Sequence, residues 1–183
     1  MTVTGTTLTR VRVWDVGVRL FHWMLVASVT GSWLLTDMRW LHRRLGYIVI
    51  GLIAFRLIWG VIGGRHARFT DFIPSPRRFL LYLRDMARGQ EERTLGHNPA
   101  GAAMIVALLT LLSAISATGV MMGMDRYFGQ EWIEHWHKGL VNGLLLLIVL
   151  HLAGVVLASL RHNENLVAAM IHGQKGLHDP SDH

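Results

Sequence analysis

The 183-residue chain is 51% hydrophobic and only 16% charged. With a mean hydropathy of +0.35, it is too apolar and too poor in charge for a typical soluble domain. Cysteine is absent, which excludes disulfides, thiolate-held iron–sulfur clusters and covalently attached c-type haem. The formal net charge of +6 is not accompanied by a basic recognition module, so we expect no nucleic-acid partner.

Four apolar segments follow one another along the chain, at about 16–36, 41–62, 98–122 and 132–160. Each approaches or exceeds the roughly 20 residues that a helix needs to cross a bilayer. None has the polar stripe of a soluble bundle helix. We therefore predict an all-α, integral membrane four-helix bundle made of one domain, residues 1–183. The polar tail at 163–183 is expected to be frayed.

Arginine residues are concentrated on one predicted side of the membrane. The connection between the second and third segments carries seven of them: Arg65, Arg68, Arg77, Arg78, Arg84, Arg88 and Arg93. Because short loops rich in lysine and arginine remain in the cytoplasm, we predict that this loop and both termini are cytoplasmic.

The same connection contains the stretch PSPRRFLLYLRDMARG. Pro76 suits the first position of a helix, and Phe79, Leu83 and Met86 then recur on one face. This pattern predicts a basic amphipathic helix that lies in the membrane interface, in contact with lipid. The alternative is an ordinary solvated loop helix.

Four histidines fall in the apolar segments at two matched depths. His137 and His151 are 14 residues apart, so they point to one face of the fourth helix, about 21 Å apart along its axis. His22 lies early in the first helix, on the cytoplasmic side, and His42 opens the second helix, on the outer side. Because the helices alternate in direction, the depths pair His22 with His151 and His42 with His137.

A polar group buried without a partner costs roughly 2–7 kcal/mol, so these histidines require partners. One intramembrane histidine alone would be explained by an interhelical hydrogen bond. Two facing pairs in a cysteine-free bundle fit the axial positions of haem better, since the macrocycle packs against aliphatic side chains between helices. The pairs therefore predict bis-histidine haem sites.

Four motifs, in order along nearly the whole chain, carry a resemblance to a known family: VWDVGVRLFHW, LHRRLGYIVIGLIAFRLIWGVIGG, LGHNPAGA and HWHKGLVNGLLLLIVLHLAG. They resemble the bacterial cytochrome b561 and nickel–iron hydrogenase b-type cytochrome superfamily. The resemblance implies two non-covalent haem b groups that carry electrons across the bacterial inner membrane and exchange them with quinone. By match of position, it makes His22, His42, His137 and His151 the axial ligands of the haem irons.

Several other residues are candidates for cofactor binding. Arg56 lies late in the second segment, where a charge is costly and usually functional. We expect it to pair with the propionates of the inner haem or with a quinone headgroup; snorkelling to the interface is the alternative. Arg43, Arg44 and Lys138 flank the outer ligands and would neutralise propionates or attract an anion, unless they form an ordinary interfacial cluster. His97 is a candidate proton relay or a helix-start residue.

The histidine pairs and the resemblance together predict a di-haem b-type cytochrome that transfers electrons across the membrane. The resemblance implies that it does so between the quinone pool and a periplasmic reactant such as superoxide. One alternative is an electron-relay subunit of a separate dehydrogenase, hydrogenase or soluble cytochrome. A less favoured alternative is a haem-free membrane metal transporter. Bis-histidine iron leaves no open position for a substrate, so no catalytic residue is assigned.

Overall fold

The computed structural model describes residues 10–64, 67–90 and 98–176. Arg65, Arg93 and His97 lie outside these ranges. The described helices are α1 (Val16–Leu34), α2 (Arg39–Ile62), α3 (Phe69–Phe72), α4 (Pro76–Ala87), α5 (Pro99–Met121), α6 (Glu131–Arg161) and α7 (Leu166–His172). Two short strands, β1 (Arg10–Arg12) and β2 (Gln174–Gly176), and a 3₁₀ turn at Asp125–Tyr127 are the other described elements.

The predicted apolar segments correspond to α1, α2, α5 and α6, with ends shifted by one or two residues. Polar side chains cap two of these helices at the N-terminus. The Asp15 carboxylate accepts a hydrogen bond from the Val18 amide at 2.9 Å, and the Asn98 side-chain oxygen accepts one from the Gly101 amide at 2.6 Å. Each cap satisfies a backbone donor that a helix start leaves unpaired.

Three of the described helices, α2, α5 and α6, are long and apolar enough to cross a membrane. Helix α1 has 19 residues, but Arg19 and His22 lie within it and lower its hydropathy. Much of the apolar surface of α6 faces outward, including Leu146, Val149 and Leu152. A helix that exposes large aliphatic side chains in this way needs lipid or a partner around it. The chain is therefore an all-α membrane protein in its main architecture.

Helices α1 and α2 pack as one hairpin and α5 and α6 as another, with α2 against α5 joining the two. The shared core consists of Val49 and Ile53 on α2, Leu112 on α5 and Leu144 on α6. On α2 and α6 these residues lie between the two predicted histidine levels. The core is thus an apolar layer that separates the outer pair from the inner pair.

The connection from α2 to α5 folds back onto α2. The ring of Phe69 in α3 packs so closely on Gly60 that a Cβ there would collide with it. Helix α4 starts at Pro76, and the Ser75 hydroxyl accepts a hydrogen bond from the Arg78 amide. The predicted helix in this connection is therefore present, and its end near Arg88 meets α6, where the Arg161 guanidinium donates to the Met86 carbonyl at 3.1 Å.

The two ends of the described chain meet. Strands β1 and β2 pair antiparallel, with Val11 opposite Lys175, and Val13 and Trp14 pack on Ala169 of α7. Gly173 has φ +81°, a left-handed conformation that favours glycine. The prediction of a frayed tail is wrong as far as Gly176, because α7 and β2 are held by these contacts; residues 177–183 lie outside the described ranges.

Candidate functional site

His42 and His137, the predicted outer histidines, lie close together in the structure. His42 stands in the first turn of α2, and His137 in the second turn of α6. Their ring centres are 6.3 Å apart, and the ring planes are inclined at 70°. Two imidazoles from different helices therefore face each other near one end of the bundle.

Both outer rings are oriented by hydrogen bonds at Nδ1. For His42, the Ser32 carbonyl lies 2.8 Å from Nδ1 and the Ser32 hydroxyl 3.1 Å from it. A carbonyl oxygen only accepts, so His42 Nδ1 carries the proton and Nε2 presents its lone pair. The tautomer is thus fixed by the backbone of α1.

The second outer ring is held through a hydroxyl. Thr118 Oγ1 lies 2.9 Å from His137 Nδ1 and donates to the carbonyl oxygens of Ala114 at 3.1 Å and Ile115 at 2.9 Å. A hydroxyl has one proton, so when it donates to these carbonyls its oxygen accepts from His137 Nδ1–H. In that tautomer His137 keeps Nε2 available for a metal.

This arrangement fits a metal held between the rings. A metal–imidazole bond is about 2.0 Å long and the ring centre lies about 1.1 Å behind the nitrogen, so two axial imidazoles have centres about 6 Å apart. The observed 6.3 Å agrees with that separation. Two imidazoles that are tethered through Nδ1, and so can offer Nε2 to a metal, match the donor set that bis-histidine haem iron requires.

The inner histidines belong to α1 and α6. His22 and His151 are close enough to interact electrostatically. His22 Nδ1 is buried and has no hydrogen-bond partner within the part of the chain that the structure describes. His22 therefore lacks the support at Nδ1 that the Ser32 carbonyl and the Thr118 hydroxyl give the two outer rings.

Arg56 does not snorkel. Its side chain is only 3% exposed, and its Nη1 donates to the Ala67 carbonyl at 3.1 Å. Its guanidinium carbon lies 4.7 Å from the ring centre of Phe69 and 5.8 Å from that of Phe72. The snorkelling alternative is therefore wrong, because α3 closes over the charge. We call this arrangement, Arg56 with Ala67, Phe69 and Phe72, the arginine cage.

The arginine cage is linked to the start of α1. Asp15 is close enough to Arg56 for electrostatic attraction, and its Oδ2 accepts a hydrogen bond from Trp59 Nε1 at 3.3 Å. The same carboxylate caps α1 seven residues before His22. The negative charge of Asp15 therefore partly balances the buried arginine near the inner level of the bundle.

Two of the three outer cations, Lys138 and Arg44, contact other side chains at the protein surface. Lys138 Nζ lies 2.6 Å from Glu134 Oε1, with side chains 71% and 57% exposed. The guanidinium of Arg44 stacks over Trp40 at 5.3 Å, and Arg43 is exposed. Because Glu134 offsets Lys138, the positive field near the outer pair is weaker than the basic residues alone suggested.

Sequence reasoning missed several residues of the site. Ser32 and Thr118 orient the outer histidines. Asp15 and Glu134 balance the positive charges of Arg56 and Lys138, respectively. One signal was available for the first two, since a hydroxyl side chain within an apolar helix often bonds a polar group on a neighbouring helix. The ion pair of Glu134 with Lys138 could also have been predicted, because residues four apart lie on the same helix face.

Long apolar helices that bring two imidazoles close enough to bind one metal ion are typical of membrane cytochromes. The model of the family described as prokaryotic cytochrome b561 matches residues 13–173, and the chain belongs to this family. It is accordingly a b-type membrane cytochrome, and the family implies b-type haem as its cofactor.

Curated relatives share nearly the full length of the chain. The chain is 24% identical to a probable Ni/Fe-hydrogenase B-type cytochrome subunit of Azotobacter vinelandii, over 93% of this chain and 90% of the relative. Proteins with the same description from Bradyrhizobium diazoefficiens and Rhizobium leguminosarum are each 22% identical, covering 92% and 94% of this chain and 87% and 91% of the relatives. No solved structure matches the chain.

Proposed function

We propose that the chain is a di-haem cytochrome that carries electrons across the bacterial inner membrane. His42 and His137 are the axial ligands of an outer haem b, and His22 and His151 those of an inner haem b. Bound haem supplies one-electron chemistry at each level. The protein orients the imidazoles, keeps water out with its apolar layer and balances nearby charge.

The observation that carries this proposal is the geometry of the outer pair. Two imidazoles whose centres are 6.3 Å apart, each tethered through Nδ1, leave two Nε2 atoms available to one metal. A pair of histidines that only bonded one to the other across helices would not need both Nδ1 atoms committed elsewhere. A metal-transport path lined by histidines would not require hydrogen bonds that fix the tautomers of both imidazoles.

The proposed arrangement in the membrane has four spanning helices. Helix α1 spans as the fourth, because it packs along α2 and carries an inner ligand. Both termini and α4 lie on the cytoplasmic side, where the arginines between α2 and α5 favour them. Helix α4 lies in the interface, since Leu80 and Leu81 are exposed beside its arginines.

The proposed electron donors and acceptors rest on the family of the chain and on the charged residues at its surface. Quinone exchanges electrons at one end of the bundle, and a separate redox protein does so at the other, as an electron-relay subunit would require. The relatives support the relay, because their descriptions are those of hydrogenase cytochrome subunits. Superoxide is the second candidate at the outer end, and the exposed Arg43 beside His42 favours it.

The remaining cations take supporting roles in this proposal. Arg56 balances the propionates of the inner haem from within the arginine cage. Arg43 and Lys138 do the same for the outer haem, although Lys138 must first release Glu134.

The test is a reduced-minus-oxidised optical spectrum of the detergent-purified chain with a pyridine haemochrome count. We expect two haem b per chain, and one in His42→Ala and in His137→Ala. His135→Ala is the matched control, because His135 is exposed, bonds to the Glu131 carbonyl and lies two residues from His137; it should retain two. A colourless wild-type protein, produced with haem available and correctly folded, would refute the proposal.

A further inference from the structure

The two histidine pairs differ in the hydrogen bonds of their Nδ1 atoms. Both outer rings have an oxygen acceptor: the Ser32 carbonyl for His42 and the Thr118 hydroxyl for His137. In the inner pair, His22 Nδ1 is buried and lacks any partner among the described residues. Within the described residues, His22 thus lacks the support from neighbouring helices that both outer rings have.

Such bonds change the chemistry of a metal ligand. An acceptor on Nδ1–H fixes the ring and raises the basicity of Nε2. A more basic ligand stabilises ferric iron relative to ferrous iron and so lowers the reduction potential. The effect adds over the two outer rings, whereas at the inner level His22 contributes none of it.

We propose that Ser32 and Thr118 are positioning residues that set the reduction potential of the outer haem below that of the inner haem. This inference rests on the proposed function, in which each histidine pair binds one haem. A single electron shared by the two levels then resides mainly at the inner one. With both haems bound, His22 and His151 would then hold the haem that is reduced first.

The buried charge at the inner level acts in the same direction. Arg56 is enclosed in the arginine cage, at a depth on α2 similar to that of His22 on α1, about 9 Å from the cytoplasmic end of each helix. A cation near an iron favours its reduced, less positive state. Asp15 weakens this contribution, so the hydrogen bonds of the outer ligands remain the main source of the difference.

Thr118 offers the sharper test because its acceptor is a side chain. Thr118→Val keeps the shape of the residue and removes the hydroxyl, whereas Thr118→Ser keeps the hydroxyl. At Ser32 the nearer acceptor is the backbone carbonyl, at 2.8 Å, which no side-chain substitution removes, so the test is made at Thr118. We therefore expect a clear effect from Thr118→Val and little effect from Thr118→Ser.

The measurement is a spectroelectrochemical titration of the haem-loaded full chain in detergent, fitted with two midpoint potentials. Haem bands that remain in His22→Ala identify the outer component. In Thr118→Val the lower, outer midpoint should move to a more positive potential and approach the inner one, while the inner midpoint stays fixed. Thr118→Ser should match the wild type.

The other possible outcomes also support or overturn the inference. If Thr118→Val loses the outer haem and Thr118→Ser retains it, the hydroxyl positions His137 and the positioning role is supported. Two haems with unchanged midpoints in Thr118→Val, or a wild type whose outer midpoint is the higher, would overturn the inference and leave the proposed function standing. A wild type without haem would instead refute the proposed function.

Discussion

Replacing Arg56 with methionine tests whether the arginine cage holds α3 against the membrane helices. The change keeps the length of the side chain and removes the guanidinium, which is 3% exposed. It deletes the hydrogen bond to the Ala67 carbonyl and the cation–π interactions with Phe69 and Phe72. Deleting these interactions destabilises the fold, whereas removing a buried charge stabilises it, so the net effect has to be weighed.

The gross loss is large. A hydrogen bond from a charged donor contributes about 1.5–3 kcal/mol, and a desolvated cation–π interaction contributes about 2 kcal/mol. Burying the guanidinium costs several kcal/mol, which methionine avoids. Because Asp15 also loses its positive neighbour, we expect a net destabilisation of about 2 kcal/mol, or a fall in Tm of roughly 4–8 °C for a chain of this size.

The assay is thermal unfolding of the purified chain in detergent, with tryptic cleavage after Arg68 as a local readout. We expect Arg56→Met to lower Tm and to speed this cleavage, because Arg68 is held to the Gly63 carbonyl only while α3 is docked. Arg77→Met is the matched control on the exposed face of α4 and should change neither. Unchanged Tm and cleavage in Arg56→Met would refute the reasoning.

Three further predictions address the ligands, the outer surface and the packing of α3. His151→Ala should reduce the haem count from two to one and leave the outer component in place; an unchanged haem count would exclude the proposed inner pairing. Replacing Arg43 and Arg44 together with glutamine should slow reduction by an anionic dye at low salt, a difference that fades as the Debye length falls to about 8 Å at 0.15 M; equal rates at low salt would end the steering hypothesis. Gly60→Ala should destabilise the protein by about 1–3 kcal/mol through overpacking against the α3 ring, whereas Gly46→Ala, where a Cβ would meet nothing within 4 Å, should not; equal melting temperatures for the two variants would contradict the packing.

The long helices and the outer histidine pair were predictable because both follow from periodicity. Apolar runs of sufficient length predict membrane helices, and a fixed rise per residue converts sequence separation into depth. His42 and His137 could therefore be paired by counting alone, and their rings do meet. Helical geometry gives depth reliably as long as neighbouring helices alternate in direction.

Contacts between distant segments were not predictable in the same way. The burial of Arg56 depends on α3, a four-residue helix whose position is set by one ring packing on Gly60. The folded C-terminal segment depends on a strand more than 160 residues earlier in the chain. Neither arrangement has a local period, so both appear only once the chain is folded.

The pairing of β1 with β2 also constrains the order in which the molecule is made. Strand β2 follows every other described element, so β1 has no partner until nearly the whole described chain has been synthesised. The loop closed by this contact is among the longest that the chain can form, and such contacts arise late in folding. The long helices can therefore form before β1 pairs with β2. A nascent chain that ends before Gln174 would have a complete α1, but β1 would still lack its partner strand.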